Sequence, residues 1–182
     1  TAVVVLDTTT RRGLVDSAYN ARRAQCEAAA AHLAAPALRD VTLDQLEAAR
    51  GALDALTYRR ARHVITENDR VLQACDAMAA GDAAALGRLL DASHASLRDD
   101  FEVSSHELNV IVEVAQAHRA CLGARMTGAG FGGCAVALVA EGGLADFVVH
   151  AIAGYTAATG LVPRVYVCRA TDGAAVVRGV AV

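Results

Sequence analysis

The sequence contains no lysine and no tryptophan. All 17 basic residues are therefore arginine, which excludes a P-loop lysine, a Schiff-base lysine and a lysine general base. Aromatic residues make up only 4% of the 182 positions, so a core must be assembled from small aliphatic side chains. Alanine accounts for much of the 54% hydrophobic content. There is no cationic excess either: the net charge is −3 and no basic stripe occurs, which argues against nucleic acid as a partner. No apolar run approaches the roughly 20 residues of a membrane-spanning helix. Metal-binding spacings such as CxxC, HxxxH and HExxH are missing. Cys26, Cys75, Cys121, Cys134 and Cys168 are odd in number and widely spaced. They read as reduced, mostly buried thiols of a cytoplasmic protein rather than as a zinc site or disulfide framework. The six histidines (His32, His63, His94, His106, His118, His150) read as structural or surface residues.

A chain of this length is one domain, 1–182, large enough to bury a core without a covalent staple. Residues 2–8 form an apolar β-branched run that reads as a strand buried on both faces. The chain begins on this run with no initiator Met, and the expectation is that it has been cut from something longer. Asp16 and Ser17 offer N-caps for a helix reaching Leu33, before Pro36. Thr42 and Gln45 have capping-box spacing. A long helix follows over 55–80, with Val64, Ile65, Val71, Leu72, Cys75 and Met78 as its core-facing stripe. Gly81 ends it, and Asp82 caps a helix to about Leu97. Ser104 and Glu107 suggest a second capping box, opening a helix that carries Leu108, Ile111, Val112 and Ala115. A glycine-rich loop, a strand over 134–139, a helix over 143–159 and a strand over 164–168 complete the order. Residues 171–182 show no period. This pattern predicts an α+β fold, a mainly antiparallel sheet covered on one face by helices.

The segment from Arg125 to Gly133, RMTGAGFGG, carries the chemical signal. Gly128, Gly130 and Gly133 match G-x-G-x-x-G, but a dinucleotide site needs a helix after the loop, and CAVALV is a strand. Glycines this dense allow positive φ and bring successive N–H groups into one concavity that suits an anion. The same spacing also fits a tight hairpin whose glycines serve only the chain reversal. Asp99-Asp100 reads as a solvated acidic pair and Arg22-Arg23 as surface charge, with Glu27 four residues beyond Arg23.

MTGAGFGGCAVALV resembles the third motif of the GHMP small-molecule kinases. The Leu14–Cys26, Ala37–Val41, Arg62–Asn68 and Ser93–Glu102 segments are similar to the C-terminal half of galactokinases, in order from about Ala2 to Gly173. The resemblance implies a GHMP C-terminal domain, a ferredoxin-like core with a helical insertion. It implies transfer of a phosphoryl group from ATP to the 1-hydroxyl of D-galactose with Mg2+, in the cytoplasm. It implies that Tyr19 contacts the sugar and that Gly128, Ala129, Gly130, Phe131, Gly132 and Gly133 lie near the phosphates. The family's G-R-x-N-L-I-G-E-H-T-D-Y-like motif, its serine-rich ATP loop and its catalytic aspartate do not occur here. The resemblance therefore implies an N-terminal lobe as partner, one that binds most of the ATP and Mg2+ and leaves this chain with neither a catalytic residue nor a metal ligand. A non-catalytic galactose- or ATP-binding sensor module, or the lobe of another GHMP kinase, remains the alternative.

Overall fold

The computed structural model describes residues 1–10, 15–171 and 173, and for 15–17 the backbone alone. Strand β1 (Ala2–Asp7) is followed by five helices: α1 (Val15–His32), α2 (Leu43–Ala48), α3 (Ala55–Ala79), α4 (Ala83–Asp99) and α5 (His106–Gln116). Then come β2 (Cys121–Met126), β3 (Cys134–Val139), α6 (Leu144–Thr159) and β4 (Arg164–Cys168). The sheet order is β2-β3-β1-β4 and every pairing is antiparallel. With α5 and α6 as the two crossover helices, this is the β-α-β-β-α-β arrangement of a ferredoxin-like core. Helices α1 to α4 form the insertion.

Period-two alternation decides which face of the sheet is buried. Val4 and Leu6 of β1, Ala124 and Met126 of β2, and Ala135, Ala137 and Val139 of β3 point into one cluster. Opposite them stand Leu108, Ile111, Val112 and Ala115 of α5, with Phe147, Ala151 and Tyr155 of α6. The other face is open in part, for Val3 is 44% and Tyr166 49% exposed. The first strand is thus covered on one face, not two. A second, smaller core joins Ala29, Leu38, Val41, Leu46, Tyr58, Ala61 and Ile65 within the helical insertion.

Capping sets most helix ends. Thr42 and Gln45 form the reciprocal capping box of α2, and the Asp54 and Asp82 carboxylates accept from the first turns of α3 and α4. Three expectations require correction. The cap of α5 is Ser105, which accepts from Leu108 N–H, while Ser104 turns to Asn109. Asp16 and Ser17 lie within α1, not at its cap; their side chains, like residues 172 and 174–182 of the tail, fall outside the described residues. The α3 stripe is core only at its start: Ile65 is buried, but Val71, Leu72 and Met78 are exposed. Helix α4 packs along that end of α3 on the face of Ala77, which is buried, while the predicted stripe turns toward solvent. No disulfide joins the cysteines among the described residues, and none of them is fully buried; Cys75 and Cys168 are exposed.

Strand β2 is an edge strand whose outer amides are taken by side chains of α4. Asp91 accepts from Ala124 N–H at 2.8 Å, and His94 Nδ1 from Met126 N–H at 3.2 Å. Two glycines permit this approach. A Cβ on Gly123 would lie 2.0 Å from Gly87 O, and one on Gly87 would lie 1.9 Å from Leu122 O.

Candidate functional site

The glycine loop joins β2 to β3 as a hairpin, so a strand follows it, as the dinucleotide argument requires for exclusion. Gly128, Gly130, Gly132 and Gly133 have φ of 77°, 80°, 129° and 89°, and Phe131 has 58°. Such a run of positive φ is unavailable to most side chains. The far end of the loop is anchored to the end of β1, where Gly133 O accepts from Thr8 N–H at 3.0 Å and from Thr8 Oγ1 at 2.7 Å. Thr8 is held in turn by the Tyr155 hydroxyl, which donates to its carbonyl at 2.9 Å.

A cavity of about 280 Å³ opens beside the loop. One wall is α1, through Tyr19, Arg22 and Cys26; the opposite wall is Gly128, Ala129 and Phe131. Its floor is apolar, made by Leu97, Phe101 and Val103. The structure therefore brings Tyr19 and three of the six loop residues into one space. Gly130, Gly132 and Gly133 support the turn without lining the cavity. The Tyr19 ring is 57% exposed, so its phenol is open to a ligand. Among the described residues, the amides of Gly128 and Ala129 donate to no protein acceptor, and both residues are exposed. Burial pushes the Cys26 thiol above its usual pKa, which keeps it protonated and a poor nucleophile.

Two surface assignments change. Arg23 pairs with Glu27 at 2.8 Å as the spacing suggests. Arg22, however, is half-buried and donates to Phe101 O at 2.6 Å and Glu102 O at 2.9 Å. Asp100 is no solvated turn residue: its carboxylate accepts from Arg62 at 2.6 Å and from Ser96 at 2.9 Å. Asp99 alone fits the earlier reading, exposed and paired with Arg98. Arg60, with its side chain 1% exposed, meets Glu102 at 2.6 Å; no local spacing announces a pair 42 residues apart. Among the described residues, no group of three His, Cys, Asp or Glu is placed to hold a metal ion. The described residues of this chain therefore do not fit Mg2+.

Residues 73–157 match the GHMP kinases C-terminal family. With the ferredoxin-like core and the glycine hairpin, this match likens the chain to the C-terminal domains of GHMP kinases. Within that class it is similar to galactokinases. Over 177 residues, 94% of this chain, it is 48% identical to a galactokinase of Roseiflexus sp. (strain RS-1), of which the match takes 45%. The crystal structure of Lactococcus lactis galactokinase complexed with galactose superposes with a TM-score of 0.88 at 38% identity. That match covers 92% of this chain and 45% of the other. L. major mevalonate kinase in complex with R-mevalonate matches with a TM-score of 0.60 at 24% identity, over 94% of this chain and 43% of its own, a likeness of fold. The chain is thus similar to the C-terminal part of these galactokinases and spans just under half the length of these relatives.

Proposed function

We propose that this chain supplies the C-terminal side of a galactokinase active site, which transfers the γ-phosphoryl group of ATP to the 1-hydroxyl of D-galactose. The observation that carries the proposal is the shared cavity, with a free phenol on one wall and unpaired loop amides on the other. Phosphoryl transfer asks a protein mainly for positioning and charge stabilisation. Tyr19 orients the sugar by hydrogen bonding. The Gly128 and Ala129 amides donate to phosphate oxygens, giving a chain without lysine a source of positive potential. Proton acceptance and most of the contact with ATP and its Mg2+ fall to the N-terminal lobe that the relatives carry. The reaction belongs to the cytoplasm, where ATP and reduced thiols coexist.

The test is to fuse this chain to the N-terminal lobe of the L. lactis enzyme and follow ADP release with galactose. Turnover is expected, and Tyr19→Phe should raise the galactose KM about tenfold, the loss of roughly 1.4 kcal/mol of hydrogen bonding. Galactose-dependent turnover absent from a folded fusion would overturn the proposal. Ligand binding without turnover would point to a sensor module, and turnover with mevalonate instead to another GHMP kinase.

A further inference from the structure

The glycine loop is positioned from behind by backbone that belongs to neither of its strands. Phe131 N–H donates to Val103 O at 2.6 Å. A Cβ on Gly130 would fall 1.9 Å from that same oxygen, so loop and linker touch main chain to main chain. The linker is the short stretch between α4 and α5, and its Glu102 sits at φ 52°, a conformation uncommon for a side chain of this kind. Its other side holds α1, because Arg22 donates to the carbonyls of both Phe101 and Glu102. Arg22 follows Tyr19 by three residues, one helical turn on the same face. Both walls of the cavity therefore hang on the same few linker residues.

What fixes the linker is Arg60. Its guanidinium is buried and spends its donors on three attachments: the Glu102 carboxylate, the Asp100 carbonyl and Gln25 Oε1 of α1 at 3.2 Å. Arg59 takes the second Glu102 oxygen at 2.9 Å. A buried guanidinium is costly unless its donors are satisfied, and an apolar side chain would fill the space without directing carbonyls. The planar fork does direct them.

We propose that Arg60 and Glu102 are positioning residues, whose ion pair holds the 100–103 linker in the arrangement that sets the distance between Tyr19 and the Gly128–Phe131 turn. The ligand consequence rests on the galactokinase reading; the mechanical coupling does not, and the test separates them. Amide hydrogen exchange is measured on the full 182-residue chain for wild type, Glu102→Asn, Arg60→Lys and Ile65→Ala. Asn tolerates positive φ but is too short to reach Arg60; Ile65 is a buried α3 residue outside the network. Glu102→Asn and Arg60→Lys should speed exchange about tenfold at the Phe131 amide, which is bonded to Val103 O, and around Tyr19–Arg22 while β1 and β3 keep their protection. Ile65→Ala should instead lower protection across the insertion without singling out the loop. In the fusion, Glu102→Asn should raise the galactose KM at least fivefold, in parallel with the exchange. Loop exchange unchanged in Glu102→Asn, or raised no more than by Ile65→Ala, would overturn the proposal. Should Arg60→Lys fail to fold, Glu102→Asn decides, since that carboxylate is 42% exposed. A wild-type fusion without galactose turnover would sink the galactokinase reading alone, and the exchange pattern would still judge the coupling.

Discussion

Acid should destabilise this domain above the pH at which carboxylates titrate, through two histidines. His63 and His94 are 5% and 2% exposed. Burial is the leading cause that holds each imidazole at a pKa of about 4 instead of 6.5. The geometry agrees. His94 Nδ1 accepts a proton bond from Met126 N–H, so protonating that nitrogen ends the bond. The His63 ring stacks on Phe101 at 4.5 Å and shares a hydrogen bond with Ser96 at 2.9 Å. As pH falls below 6.5 the unfolded chain binds protons that the folded chain refuses until about pH 4. Stability therefore drops through that window and levels off beneath it. At pH 5 each histidine costs about 2 kcal/mol, roughly 4 together, a large share of the ~5–15 kcal/mol of a typical domain. Glu67 and Glu102, whose pKa values lie below the usual carboxylate range, add their losses at lower pH. The assay is urea unfolding at pH 7 and pH 5, paired with an NMR titration of the imidazole protons. Equal stabilities at the two values, or ring protons titrating near 6.5, would refute the reasoning.

Two further outcomes follow from packing. Gly123→Ala should lower stability by roughly 3 kcal/mol, because its Cβ meets the Gly87 carbonyl and forces α4 off the β2 edge; a thermal melt checks it, and a loss below 1 kcal/mol would contradict the contact. Tyr155→Phe should cost about 1 kcal/mol by removing a buried hydrogen bond to the Thr8 carbonyl, which then keeps only the Thr9 hydroxyl at 2.6 Å, read as a shift in the urea midpoint.

The elements whose signals are local were legible in the sequence. The Thr42 capping box and strands β3 and β4 required only periodicity and neighbouring side chains. Strand β2 escaped notice because Gly123 and Arg125 interrupt its apolar pattern, and both have tertiary reasons: Gly123 admits α4, and Arg125 reaches Glu67 at 3.3 Å. The α3 stripe misled because periodicity reports a face without reporting a neighbour. At the site, the loop was legible in its glycine density and Tyr19 through the family resemblance, and the cavity that joins them became visible only in three dimensions. Arg60, Arg22 and Asp100 were not legible, because their partners lie 42, 79 and 38 residues away. A buried charge looks like any other arginine until the chain closes around it.

The fastening of β2 by Asp91 and His94 has a bearing on how copies of this chain behave toward each other. The margin of a sheet invites a foreign strand, and here a helix occupies one margin in place of a fifth strand. Among the described residues, main-chain recruitment is thereby confined to β4 at the opposite end. Mild acid would loosen one of the two clasps, so self-association gaining a second direction near pH 4 would be the visible trace of that helical seal.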